Sequence, residues 1–212
     1  MMKTMDRINE EKIVAIIRLE STEHVESLVE SLYEGGIRVV EVTLNTPGAL
    51  EIISKLKAHR SDLLVGAGTV LDKESARAAI MAGADFLLAP TLSKATIEMG
   101  NRYGIPVVPG VMTPTEALTA YEYGAQQVKV FPVRSVGKNF AKDVKGPLPF
   151  VDVMAVGGVG LDNVADYLSS NWQSVGIGSS LVSSQLIEEG NFQEITARAE
   201  QFIKIRDEVI NS

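Results

Sequence analysis

The sequence predicts a single α/β domain over residues 1–212, a (β/α)8 barrel preceded by a short N-terminal helix. Eight short runs rich in Val, Ile and Leu alternate with segments of helical spacing, which indicates βα units with parallel pairing. The runs are apolar on both faces, as in parallel strands that helices cover on one side. Eight such units in 212 residues fit one compact barrel.

The first half of the chain alternates regularly. A polar helix is predicted at residues 3–10, and strand runs follow at 12–17, 37–44, 63–69 and 85–90. We expect Thr22 to cap the first barrel helix, Pro47 to begin the second and Asp72 to cap the third. Residues 93–100 form the fourth helix. The first, third and fourth of these helices end at Gly35-Gly36, Gly83 and Gly100, which supports their predicted boundaries.

The second half repeats the pattern. Strand runs lie at 105–110, 127–131, 151–156 and 174–177, and helices are predicted from Thr113 to Gly124 and at 140–144, 162–168 and 191–210. A doubly wound open sheet is the alternative fold. That fold would place a glycine-rich nucleotide turn after the first strand, where this chain has Arg18-Leu19-Glu20.

Composition excludes several classes of function. The formal net charge is −7 without a basic run, which disfavours nucleic-acid binding. The absence of cysteine excludes disulfides and thiolate metal sites, and His24 and His59 lack metal-ligand spacing. No apolar run approaches the roughly 20 residues of a membrane helix, and residues 1–11 lack the apolar segment of a signal peptide. We therefore expect a cytoplasmic protein without a metal, cofactor, nucleic-acid or membrane partner.

A lysine stands in the middle of the sixth strand run, between Val128 and Val130. A buried ammonium must be paired or give up its proton, because low-dielectric surroundings disfavour its charge. The neutral amine is a nucleophile that forms Schiff bases with carbonyl compounds. Alternation places Gln127, Lys129 and Phe131 on one face, and an inward face would put Lys129 in the barrel mouth. A plain ion pair or a solvent-reaching lysine is the alternative.

A carboxylate occupies the second strand run, where Glu41 shares a face with Val39 and Thr43. A carboxyl group inside a strand must be paired or protonated with a raised pKa. One interpretation is an ion pair with Lys129, and the other is a general acid and base at a substrate. The two interpretations are compatible.

Glycines follow three of the strand runs. Gly66-Ala67-Gly68-Thr69 would let the backbone approach a ligand and would offer a hydroxyl to a carboxylate, although a plain tight turn explains it equally well. Gly157-Gly158 and Gly178-Ser179-Ser180 follow the seventh and eighth strands. In many barrels these two loops hold a phosphate with backbone N–H groups. Two unrelated turns remain the alternative.

Taken together, these motifs resemble a known family. The segments Glu41–Thr46, Gly66–Val70, Pro109-Gly110, Val128–Pro132 and Gly157-Gly158 occur in the order and spacing of the class I aldolases that cleave 2-keto-3-deoxy-6-phosphogluconate. Some members also split 4-hydroxy-2-oxoglutarate. The resemblance covers about residues 10–182. It implies a (β/α)8 barrel, usually a homotrimer, that needs no metal.

The resemblance also implies roles for individual residues. Lys129 would form the Schiff base with pyruvate, and Glu41 would move protons, often through a water molecule. Thr69 and Pro90 would border the pyruvate carboxylate, and the phosphate would be held by Gly157, Gly158, Gly178 and Ser179 or Ser180. Thr43 is a further expected substrate contact.

Two positions depart from the best-known members of the family. Those members have Arg where Asn45 stands and Thr where Val156 stands, and the branch that acts on the C4 epimer, 2-keto-3-deoxy-6-phosphogalactonate, resembles this chain at both places. Loss of a hydroxyl donor beside the C4 oxygen can change the stereochemical preference. We expect Arg18 to supply the positive charge that Asn45 lacks.

Two other functions stay open on these residues alone. A phosphosugar isomerase or epimerase would use Glu41 as its base and Lys129 only for its charge, and it would form no Schiff base. A ligand-sensing barrel would be stabilised by a phosphosugar acid without turning it over.

Overall fold

Nine parallel strands form the centre of the computed structural model, which describes residues 4–211. In chain order the strands are β1 (Ile13–Ile17), β2 (Val39–Thr43), β3 (Leu64–Gly68), β4 (Leu87–Leu88), β5 (Val107–Val108), β6 (Gly110–Val111), β7 (Gln127–Val130), β8 (Asp152–Val156) and β9 (Ser174–Ile177). The pairing order is β5-β4-β3-β2-β1-β9-β8-β7-β6. Only Pro109 separates β5 from β6, so the two ends of the sheet meet there and the predicted barrel is confirmed.

Ten α-helices are assigned within the described residues, and most of them pack around the barrel. They are α1 (Thr4–Glu11), α2 (Val25–Glu34), α3 (Ala49–His59), α4 (Lys73–Met81), α5 (Lys94–Tyr103), α6 (Pro114–Glu122), α7 (Phe140–Lys145), α8 (Val164–Leu168), α9 (Ser184–Glu188) and α10 (Phe192–Ile210). A 3-10 turn, Val133–Ser135, follows β7. Between residues 4 and 211 no helix combines the length and apolar character that crossing a membrane requires.

Three predicted helix starts are wrong, the third being that of α8, which begins at Val164 instead of 162. Helix α2 begins at Val25, and Thr22 contributes its backbone carbonyl to the Val25 N–H (3.4 Å) rather than a side-chain cap. Helix α3 begins at Ala49, because Pro47 belongs to a turn that the Ala49 N–H closes onto the Thr46 carbonyl (3.2 Å). The first residue of the predicted N-terminal helix, residue 3, lies outside the described residues.

Other boundaries depend on local chemistry. Asp72 caps α4 as predicted, since its side chain accepts from the Ser75 N–H at 2.6 Å. The fifth predicted strand is divided at Pro109, which has no N–H for the sheet. The sequence-based prediction does not include helix α9, although Ser183 stands at its N-cap and accepts weakly from the Leu186 N–H (3.5 Å).

The apolar core has two parts that lie on opposite faces of the barrel wall. The larger part packs the strands against the helices and includes Val128 and Val130 of β7. The smaller part includes Ile8 of α1, Phe86 and Met154 of β8. The alternation along each strand therefore decides which side chains enter the barrel.

Candidate active site

Lys129 points into the barrel. Its neighbours Val128 and Val130 belong to the outer core, so alternation turns the lysine inward, beside Met154 on β8. Only 6% of its surface is exposed. The Lys129 Nζ lies 5.0 Å from the centre of the Phe131 ring. The amine therefore occupies an apolar position at the end of β7.

Glu41 enters the barrel from β2 and is also buried, with 1% exposure. In register it lies between Ile16 of β1 and Gly66 of β3. A Cβ atom placed on Gly68 would lie 2.7–2.8 Å from the Glu41 carboxyl atoms. The glycine at position 68 thus leaves the space that this carboxyl group fills, just as Gly66 leaves space for the Phe86 ring.

Burial shifts both ionisable groups toward their neutral forms. The pKa of Glu41 is raised by desolvation, and the positive charges of Lys129 and Arg18 oppose that rise. The pKa of Lys129 is lowered by desolvation; Glu41 opposes this shift and Arg18 adds to it. The Glu41 Oε2 atom is buried and has no hydrogen-bond partner among residues 4–211. Burial therefore favours the neutral amine of Lys129 and the protonated carboxyl group of Glu41, whose Oε2 atom no described residue occupies.

The space beside Gly68 can be tested by filling it. We expect Gly68→Ala to lower the free energy of unfolding by about 1–3 kcal/mol, the usual cost of overpacking, and to displace the Glu41 carboxyl group and lower kcat. Urea unfolding and steady-state kinetics measure the two effects. Gly146→Ala is the matched control, because a Cβ there meets no atom closer than 3.6 Å. Equal stability of the two variants would contradict this role of Gly68.

A cavity of about 670 Å³ opens next to this pair, where β1, β7, β8 and β9 end. Phe131 connects the two places, because its ring contacts the Lys129 amine and also lines the cavity. More than half of the residues expected to bind substrate line this cavity: Arg18, Val156, Gly157, Gly158, Gly178, Ser179 and Ser180. A volume of this size falls in the range of small-molecule binding sites.

Unpaired backbone N–H groups are among the hydrogen-bond donors around this cavity. The amides of Gly158, Val159, Ser179 and Ser180 donate no hydrogen bond to another residue of the described chain. Gly157 and Gly158 have positive φ angles (88° and 104°) that L side chains rarely adopt. The Ser180 hydroxyl donates to the Val159 carbonyl (2.7 Å) and joins the two loops. Such free amides favour an anionic ligand.

The other expected contacts lie at the ends of β2, β3 and β4 and do not line this cavity. Thr43 is buried and its hydroxyl is 3.2 Å from the Thr46 hydroxyl. Asn45 is exposed in the loop after β2. Thr69 is half-buried with a φ of 57°. Pro90 is half-buried at the end of β4. They are placed on the side of the barrel mouth where Glu41 enters.

One residue of the cavity is not among the sequence-based candidates. Arg134, in the 3-10 turn after β7, lines the cavity together with Arg18. The sequence gives only a weak indication of Arg134, because a single arginine in a polar loop is common. Its position five residues after Lys129, directly beyond Phe131-Pro132, is the feature that points to the mouth of the barrel.

No group of three or more His, Asp or Glu side chains that could hold a metal ion occurs in residues 4–211. The acidic residues near the barrel mouth are separated, with Glu41 inside the barrel and Asp162 in the loop after β8. Glu41 is therefore the carboxyl group that lies with the Lys129 amine inside the barrel.

Comparison with known proteins identifies the family. The model of the KDPG and KHG aldolases matches residues 4–198. The 2-dehydro-3-deoxy-phosphogluconate aldolase of Haemophilus influenzae is 34% identical over 203 residues, which cover 95% of each chain. The KDPG aldolase of Legionella pneumophila, solved with pyruvate captured as a covalent carbinolamine intermediate, superposes with a TM-score of 0.88 at 30% identity and covers 94% of this chain and 97% of that one. A structure described as native KDPGal superposes with a TM-score of 0.86 at 32% identity. The match covers 94% of this chain and 96% of that one.

These relatives are aldolases, so the isomerase and the ligand-sensing alternatives are set aside. Barrel, buried lysine and family match agree: the chain belongs to the KDPG and KHG aldolase family and is an aldolase, a carbon–carbon lyase.

Proposed function

We propose that this aldolase cleaves 2-keto-3-deoxy-6-phosphogluconate to pyruvate and glyceraldehyde 3-phosphate through a Schiff base on Lys129. A second activity, the cleavage of 4-hydroxy-2-oxoglutarate to pyruvate and glyoxylate, uses the same residues. The observation that carries the proposal is the inward, 6% exposed Lys129, whose pKa is lowered by burial beside a Glu41 whose pKa is raised. A nucleophilic amine and a proton carrier are the two groups that this reaction needs.

The reaction begins at the substrate ketone. The neutral Lys129 amine attacks C2 and forms a carbinolamine. Protonated Glu41 gives its proton to the departing hydroxyl, which leaves as water, and the C2–N bond becomes an iminium. The new positive charge favours the ionised form of Glu41, because an opposite charge nearby lowers the pKa of a carboxyl group.

Cleavage and release return the site to its starting state. Ionised Glu41 takes the proton of the C4 hydroxyl, the C3–C4 electron pair moves into the iminium, and the aldehyde departs. Glu41 then returns the proton to C3 of the enamine. Water adds to the resulting pyruvate iminium and releases pyruvate, while Lys129 and Glu41 regain their neutral forms.

The far end of the substrate extends into the cavity. We place the phosphate at the amides of Gly158, Val159, Ser179 and Ser180, whose N–H groups point to no protein acceptor among the described residues. Backbone N–H groups and a local positive charge suit a phosphate. Arg18 supplies charge near the reacting groups, in agreement with its effect on the pKa values of Glu41 and Lys129.

A specific observation favours the C4 epimer, 2-keto-3-deoxy-6-phosphogalactonate, as an alternative substrate. Val156 is 2% exposed and lines the cavity, so an apolar side chain stands where the best-known family members have a threonine hydroxyl. Asn45 likewise replaces an arginine. A protein described as KDPGal is among the similar structures. The chemistry is the same for both epimers.

Pyruvate release from three substrates tests the proposal. The two C4-epimeric phosphosugar acids and 4-hydroxy-2-oxoglutarate are supplied side by side, and pyruvate is followed with a coupled lactate dehydrogenase assay. We expect kcat/KM to be highest for the gluconate; a higher value for the galactonate would select the alternative. Absence of pyruvate from all three would contradict the proposed function.

We also propose that the enzyme is a homotrimer in the cytoplasm, where a charged phosphosugar acid is retained. Exposed apolar side chains offer surface for association, among them Leu118, Tyr121 and Phe150, the last two with ring centres 4.6 Å apart. Light scattering measures the molar mass in solution, and a mass near 22.8 kDa, that of one chain, would contradict the trimer.

A further inference from the structure

We propose that Arg134 determines substrate specificity: its guanidinium binds the phosphate and makes the enzyme prefer phosphorylated six-carbon acids over 4-hydroxy-2-oxoglutarate. The inference rests on the proposed function for its substrates. It adds a side-chain cation to a phosphate position that was otherwise assigned to backbone amides.

The turn after β7 fixes the stem of Arg134. Its backbone N–H donates to the Gly157 carbonyl at 3.1 Å. A Cβ placed on Gly158 would lie 2.8 Å from the Arg134 Cβ and 3.4 Å from its Cδ. The aliphatic part of the side chain therefore lies along Gly158, while the residue as a whole is exposed and lines the cavity. The stem of Arg134 thus starts from the Gly157-Gly158 loop, at the proposed phosphate end of the cavity.

The guanidinium of Arg134 has no competing partner of its own. No ion pair or side-chain hydrogen bond joins it to another residue between 4 and 211, whereas the nearby Lys138 is paired with Asp166 at 2.8 Å. Asp162 also lines the cavity, and its carboxylate brings a negative charge to the lining. Arg18 and Arg134 together outnumber it, so the cavity carries a net positive charge. A guanidinium also matches a phosphate with two parallel hydrogen bonds.

The difference in length between the two substrate classes explains how Arg134 would select between them. The phosphate of the six-carbon acids lies on C6, two carbons beyond the C4 at which cleavage occurs. In 4-hydroxy-2-oxoglutarate the chain ends with a carboxylate at C5, directly next to C4. The shorter substrate therefore ends before the Gly157-Gly158 loop and gains nothing from Arg134. Selectivity arises because only one class of substrate forms the contact.

The test compares Arg134→Ala and Arg134→Lys with Lys142→Ala, which removes the same charge from an exposed position of α7 outside the cavity. The first readout is the ratio of kcat/KM for the phosphorylated acid to kcat/KM for 4-hydroxy-2-oxoglutarate. We expect Arg134→Ala to lower this ratio about tenfold or more, as for the loss of a hydrogen bond to a charged group. Arg134→Lys should recover part of the ratio, and Lys142→Ala should leave it unchanged.

The second readout needs no turnover. Calorimetric binding of glycerol 3-phosphate, an unreactive phosphate ester, should weaken about tenfold in Arg134→Ala and not in Lys142→Ala. An unchanged ratio and unchanged binding would overturn the role of Arg134, and so would equal losses with both substrate classes, which indicate a structural effect. If the wild type releases no pyruvate but binding weakens as expected, the proposed function fails while the anion contact of Arg134 stands.

Discussion

Lys129→Met is expected to lower kcat/KM for pyruvate release by at least about 10⁴-fold, a loss of about 5 kcal/mol or more in transition-state stabilisation. Without the amine no covalent intermediate forms, and no other lysine is placed in the strand run of Gln127–Val130 to replace it. The cavity and its amides remain, so the variant should still bind a phosphate ester. Coupled pyruvate assays measure the loss over the required range.

Stability separates the chemical effect from misfolding. Methionine has a similar length and needs no desolvation of an ionisable group, so we expect the free energy of unfolding of Lys129→Met to equal or exceed that of the wild type. Lys142→Ala serves as the control for the loss of a lysine and should keep full activity. A folded Lys129→Met that retains more than about a tenth of the wild-type rate would contradict nucleophilic catalysis by Lys129.

Glu41→Gln is the second variant with a large expected effect. Glutamine keeps the shape of the buried side chain but cannot exchange a proton, so we expect kcat to fall about 10²–10⁴-fold. The amine is still present, so the Schiff base with pyruvate should still form, although more slowly. Glu122→Gln makes the same replacement at an exposed position of α6 and should have no effect on kcat. A small loss of kcat in Glu41→Gln would assign the proton transfers to another group.

The same variant changes the dependence of stability on pH. The folded pKa of Glu41 lies above its ordinary value of 4.5, so above that pH the folded state binds a proton that the unfolded chain has released. The contribution of Glu41 to the free energy of unfolding is therefore fully present below about pH 4.5. It is lost as the pH rises through the folded pKa. In Glu41→Gln this decline is expected to disappear, which unfolding curves across that pH range can measure. Parallel curves for the two proteins would contradict the raised pKa.

Strand periodicity made much of this site predictable. The inward positions of Lys129 and Glu41 follow from alternation within β-branched runs, because successive side chains of a strand must point to opposite faces. The two glycine-containing loops after β8 and β9 were predictable for a related reason, since parallel strand ends of a barrel meet on one face.

What the sequence could not reveal depends on contacts between distant segments. The role of Gly68 requires the register of β2 with β3, which places Glu41 against it, and local sequence does not encode that register. Helix α3 begins later than predicted, after a turn that contains Thr46. The Thr46 hydroxyl accepts a hydrogen bond from the Leu19 N–H at 3.2 Å, and the two residues are 27 positions apart in the chain. The position of Arg134 also depends on a distant segment, because contacts with Gly157 and Gly158 set it.

Borohydride trapping tests the central claim, the Schiff base on Lys129, most directly. The protein is incubated with pyruvate, reduced with sodium borohydride, digested and analysed by mass spectrometry. We expect a reduced pyruvate adduct on Lys129 in the wild type and in Glu41→Gln, and none in Lys129→Met. An adduct on a different lysine, or no adduct at all in an active wild type, would contradict the Schiff base on Lys129.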